Sequence, residues 1–179
     1  MDVKKAITVN RPPEDLYQYW RDFENLPRFM DHLESVQVMG AGRSHWKAKG
    51  LAGTTVEWDA EVVDDRPNEL IAWRSLDGAA VDNAGSVRFT PAPGGRGTEV
   101  HVELRYDPPG GATVAKLFGE DPTQQVPDDL RHFKQVIETG ERAISDATAK
   151  GGGSAQPAAE TPQQQEGGRR SGRTGARAM

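Results

Sequence analysis

The strongest constraint on this chain is a stripe of apolar residues that has to find a cover. Val126, Leu130, Phe133, Ile137 and Ile144, with Gly140 before the last, step by four, three, four, three and four residues. That spacing sets them on one side of an α-helix. Asp128, Asp129, Arg131, Lys134, Gln135, Glu138, Glu141 and Arg142 are assigned to the opposite, wet side. A helix of this kind draws most of its stability from an apolar surface to lie on.

The middle of the chain offers such a surface, because there the period changes from 3.6 to two. Val36 and Val38, Trp46 and Ala48, then Val56, Trp58, Ala60 and Val62 each alternate with polar neighbours. Ile71, Trp73 and Ser75, then Val87 and Phe89, then Val100, Val102, Leu104 and Tyr106 continue the pattern. Alternation predicts six antiparallel strands with one buried and one solvated face. Turns fall at 40–42, 65–68 and 93–97, where Gly, Pro and Asn collect. Upstream, Ile7 and Val9 mark a first strand. Pro12, Pro13, Glu14 and Asp15 then open a helix with Leu16, Trp20 and Phe23 on its apolar side. Residues 26–30 read as a second short helix or turn, and 112–118 as another helix, broken at 119–122 before the long one. The expected architecture is α+β: a curved antiparallel sheet of about seven strands wrapped around the long C-terminal helix, with two short helices after strand one.

Beyond Lys150 the composition turns to Gly, Ser, Ala, Gln, Pro, Glu and Arg. Such a segment buries too little apolar surface to offset ordering. The division is therefore a folded domain over 1–149 and a disordered Gly/Gln/Arg-rich tail over 150–179. The tail carries Arg169, Arg170, Arg173 and Arg177 against Glu160 and Glu166. The whole chain is at −5, so the acidity sits in the folded part, which argues against a nucleic-acid partner. Without cysteine there is no disulfide and no thiolate chemistry. No apolar run is long enough for a signal peptide core or a membrane span. The expectation is a cytoplasmic protein with at most transient contact with a membrane surface.

No catalytic motif stands out. His32, His45, His101 and His132 show no metal-ligand spacing, and no metal or cofactor is expected. Gly94, Gly95 and Gly97 join two strands and open no helix, so they form a turn rather than a phosphate cradle. What remains is the aromatic face of the sheet. Trp46, Trp58, Trp73, Phe89, Leu104 and Tyr106 face Phe118, Leu130, Phe133 and Ile137, with Phe29 and Met30 at the open end. These residues either fill the interior or surround an apolar ligand cavity. Ala48, Gly50, Ala60 and Ser75 on the same face favour a gap. Inward polar candidates are Tyr106, Ser75, Asp82 and Asn83.

Several stretches resemble the START-like (SRPBCC) superfamily. They are Ile7-Thr8-Val9-Asn10 before Pro13-Glu14-Asp15-Leu16-Tyr17, Trp20-Arg21-Asp22-Phe23-Glu24-Asn25-Leu26-Pro27, Val56-Glu57-Trp58-Asp59-Ala60-Glu61, Ile71-Ala72-Trp73-Arg74-Ser75, and Gly97-Thr98-Glu99-Val100. The chain resembles in particular the polyketide cyclase/dehydrase and coenzyme Q-binding START families, over residues 1 to about 147. The resemblance implies a helix-grip fold with a hydrophobic cavity between sheet and C-terminal helix. It implies binding or transport of a lipid, isoprenoid quinone or polyketide, with a polyketide cyclase/dehydratase as the alternative. No inward Arg, His or Glu stands out for acid–base work, which favours binding. A docking role for the charged outer face is a third reading.

Overall fold

The computed structural model describes residues 1–108, 118, 119 and 121–140 of the 179-residue chain. Seven strands form one antiparallel sheet: β1 (Asp2–Val9), β2 (Leu33–Gly40), β3 (Arg43–Lys49), β4 (Thr55–Arg66), β5 (Leu70–Ser75), β6 (Asp82–Pro91) and β7 (Thr98–Asp107). Their spatial order is β1-β7-β6-β5-β4-β3-β2. The six-strand meander is thus as the alternation predicts, and β1 closes it by pairing with β7. Helix α1 (Pro13–Arg21) and a short 3-10 helix (Phe23–Arg28) follow β1, and the long helix α2 spans Pro122–Thr139. This is the α+β helix-grip architecture.

Helix α2 begins at Pro122, earlier than its apolar stripe, because Asp121 caps it: its carboxylate accepts from Thr123 N at 2.9 Å. Gly140 is not a gap in the stripe. It takes the left-handed conformation (φ 75°) that closes the helix. Ile144, Glu141, Arg142, the rest of the 112–118 helix before Phe118, and the tail over 150–179 lie outside the described residues.

The C-terminal half of α2 is fixed to β1 by polar contacts. Asn10 N donates to Glu138 Oε1 at 2.8 Å, Arg11 Nη2 to the Glu138 carbonyl at 2.8 Å, and Lys134 Nζ to Thr8 O at 2.7 Å. Helix α1 is tied to β4 by Tyr17 and Arg21, which donate to the two oxygens of Asp65 at 2.5 and 2.7 Å. The outer face of the sheet is charged. His45, Lys47 and Glu61 lie opposite Asp59, Glu57 and Arg74, and all three pairs close to ion-pair distance. Such exposed pairs contribute a few tenths of a kcal/mol each, roughly.

Candidate functional site

The buried face of the sheet is organised by tryptophans. Trp46 on β3 stacks on Trp58 of β4 (5.8 Å between centroids, 25° between planes) and on Trp73 of β5 (6.2 Å, 21°). Phe23 braces Trp46 and Trp73 edge-on at 5.6 and 5.8 Å. The Trp46 indole N–H donates to Ser44 Oγ at 2.8 Å. Trp73 rests on Gly85 of β6: a Cβ there would come within 2.4 Å of the indole. Glycine at 85 is what lets the ring lie against the sheet.

This stack walls a small, partly open cavity of about 40 Å³. Met30, Trp46, Trp58, Trp73, Leu104, Tyr106, Phe118 and Leu130 line it. Phe118 covers it from outside, edge-on to Trp58 (6.4 Å) and Tyr106 (6.3 Å). The other four residues assigned to the pocket from sequence do not line it. Phe29, Phe89 and Phe133 are fully or almost fully buried at the neighbouring end of the core, and Ile137 is only packed against it. There Trp20, Phe29 and Phe133 meet at 5.0–5.1 Å, with Phe89 6.5 Å from Trp20. These rings pack directly against one another at the buried end of the core. Trp20 divides the two regions and also borders the cavity.

The cavity has a polar corner that the periodicity assigned elsewhere. Asp129, placed on the wet side of the helix, is 4% exposed and lines the cavity. With Val126, Leu130 and Phe133 it completes an i, i+3, i+4, i+7 set, so its angle around α2 is inward whatever its polarity. His32, from the turn before β2, places Nδ1 3.6 Å from Asp129 Oδ2. Burial pulls the His32 imidazole down to about 4; Asp31 opposes that shift and Lys49 reinforces it. The imidazole is therefore neutral at pH 7. Burial, and then the Asp129 charge, push the Tyr106 phenol well above its ordinary value, so it stays a proton donor. Asn83 and Gln125 also reach the cavity. Ser75 does not serve it. Its hydroxyl donates to Asp82 and accepts from Asn83 N, which closes the end of β5. Among the described residues, the indole N–H groups of Trp20 and Trp58 and Nδ1 of His32 are buried with no hydrogen-bond partner. Leaving such groups unmet costs roughly 1–3 kcal/mol each.

Gln125 and Asp129 also border an open polar cleft of about 500 Å³ on the outside of α2, with Asp31, Asp128, Arg131 and His132. The same two residues thus stand between cavity and surface. Among the described residues no group of three His, Cys, Asp or Glu is placed to hold a metal, and no helix is long and apolar enough to cross a membrane.

Comparison with known proteins agrees with this geometry. The family model described as "Polyketide cyclase / dehydrase and lipid transport" matches residues 9–131. The chain belongs to that family, within the START-like proteins. A 17.2 kDa uncharacterised protein from the melC2-rnhH intergenic region of Streptomyces lincolnensis is 30% identical over 139 residues, covering 76% of this chain and 89% of that protein. The crystal structure of DR_A0006 from Deinococcus radiodurans is 46% identical with a TM-score of 0.67, covering 79% of this chain and 99% of the other. The di-domain ARO/CYC StfQ of the steffimycin biosynthetic pathway shares the fold at 16% identity and a TM-score of 0.56, over 76% of this chain and 50% of StfQ.

Proposed function

We propose that this protein binds a small, flat hydrophobic molecule between the tryptophan stack and the N-terminal half of α2. The observation that carries this is the aromatic cavity, walled by Trp46, Trp58 and Trp73 and bordered, among the described residues, by the half-buried side chain of Phe118. At about 40 Å³ the cavity holds no more than a few waters. Ligand pockets run to roughly 300–1,000 Å³, so binding requires Phe118 and the start of α2 to move outward. The anchored C-terminal half of α2 is the natural pivot. Burial of aromatic surface at about 25 cal/mol per Å² drives association. Isoprenoid quinones, lipids and polyketides are the ligand classes that the family's description and the START-like resemblance bring forward.

Titration with a neutral naphthalene while following the four indole N–H resonances tests this reading. Shifts at Trp46, Trp58 and Trp73, with Trp20 moved less, are the expected result. Equal or absent shifts at all four overturn it.

A second reading, a cyclase- or dehydratase-type activity, is favoured by the Tyr106–Asp129–His32 corner, which supplies the positioned acid and base that such chemistry needs. Turnover of a poly-β-ketone surrogate that falls at least about tenfold in Tyr106→Phe would establish it; no turnover by the unmodified protein removes it.

A further inference from the structure

Resting on the binding site just proposed, we infer that the Trp58 indole N–H donates a hydrogen bond to the ligand, so that the cavity recognises a planar apolar molecule through a carbonyl oxygen. The tryptophans of the wall differ in their polar edges. The Trp46 N–H is met at 2.8 Å by Oγ of Ser44, two residues before it and on the same face of β3. Two residues before Trp58 on β4 stands Val56, and two after it Ala60, neither with a side-chain acceptor. Directly across the strands from Trp58 is Trp46 itself, whose one polar side-chain atom is a donor. Ser75, paired with Ala60 on the other side, is committed to Asp82 and to Asn83 N. The strands around Trp58 thus give its N–H nothing to bond to in the way that Ser44 serves Trp46. Trp58 is 7% exposed, and among the described residues its N–H has no hydrogen-bond partner. A buried donor left unmet is costly, and an acceptor that arrives with the guest removes that cost. Trp58 lines the cavity and meets Phe118 edge-on, so a guest that displaces Phe118 comes to lie beside this ring. Trp20 carries a second unmet N–H at the border of the cavity, but its ring is wedged against Phe29 and Phe133 at 5.0–5.1 Å.

The test uses two guests of one shape, β-acetylnaphthalene and β-isopropenylnaphthalene, which exchange a carbonyl oxygen for a methylene group. Each is titrated into the full chain while the indole N–H resonances are followed. The ketone should move the Trp58 N–H resonance downfield and the hydrocarbon should not, whereas Trp46, already bonded to Ser44, should respond alike to both. In Trp58→Phe, which removes the donor and keeps an aromatic ring, the ratio of ketone to hydrocarbon affinity should fall by about three- to tenfold. Taking the ratio cancels the different hydration of the two guests and any general loss of packing in the variant. Equal movement of the Trp58 resonance by both guests overturns the inference while leaving the binding site intact. So does a ketone-specific shift at Trp20 instead of Trp58, or a ratio unchanged in Trp58→Phe. If neither guest moves any indole resonance, the site itself is wrong and the recognition falls with it. The resonances are read on the unmodified protein, so the outcome does not depend on the variant folding.

Discussion

The two ends of the core are built from the same kinds of side chain and do opposite things. At one end Trp20, Phe29, Phe89 and Phe133 interlock with Tyr17 and Tyr19 around them, and the adjacent half of α2 is fixed to β1 by Arg11, Asn10 and Lys134. At the other end Trp46, Trp58 and Trp73 stack in parallel, hold a small cavity, and meet α2 and Phe118 through apolar contacts and a polar corner. Tilted and edge-on rings at about 5 Å interdigitate closely; near-parallel stacked rings present flat faces, which a planar guest can slide against. With the proposed function, the difference separates stability from binding within one hydrophobic interior.

Truncation is the most direct way to break this contrast. Phe133→Ala, at 0% exposure among three rings, should cost about 3–5 kcal/mol in denaturant unfolding. Trp58→Phe, beside space already empty, should cost about 1–2 kcal/mol. Equal losses would mean that the cavity end is as tightly packed as its neighbour.

The next effect is pH dependence at the cavity end. His32 binds its proton in the unfolded chain near the ordinary pKa of about 6.5 but in the folded one only near 4. A depressed histidine lowers stability as pH falls through that window, and the loss levels off below about 4. The full difference amounts to roughly 3 kcal/mol. In His32→Gln this component should vanish, so stability measured between pH 7 and 4 should fall less steeply than in the unmodified protein. Parallel curves would show that His32 is not held neutral.

How far the sequence discloses this division depends on which signal is asked. Strand alternation identifies Trp46, Trp58 and Trp73 as inward, since a period of two is unambiguous over β3 to β5. It cannot say at which end of the interior an inward ring lies, which is why Phe29, Phe89, Phe133 and Ile137 are grouped with the cavity residues from sequence and are separated from them by the fold. Asp129 is legible by angle, but sorting helix residues by polarity hides it. His32 sits in a turn that carries no periodicity. Gly85 interrupts the alternation of β6 without any sign that its partner is an indole on the next strand.

That glycine supplies a sharper test of the stack. Gly85→Ala places a methyl 2.4 Å from Trp73 Cζ2 and 2.8 Å from Leu104 Cδ2. Overpacking of this kind costs about 1–3 kcal/mol, and the ring's escape is toward the cavity. Naphthalene affinity should therefore drop more in Gly85→Ala than in a variant matched for stability at the packed end. If affinity follows stability alone, the tryptophan stack is not the binding wall.

The smallest expected effect on stability is the most informative about access. Phe118 is only partly buried and contacts the wall through two edge-on pairs at 6.3–6.4 Å. Phe118→Ala should thus move the unfolding midpoint by a few degrees at most. Its effect belongs in the kinetics: with the cover removed, both association and release of a neutral naphthalene in stopped-flow fluorescence should accelerate together, and the equilibrium affinity should change much less than either rate. A cover limits passage in both directions, whereas a wall residue contributes to the bound state and would raise the release rate alone. A change confined to release would move Phe118 from the entrance to the wall and would make the cleft side of α2, between Gln125 and Asp129, the next entrance to test.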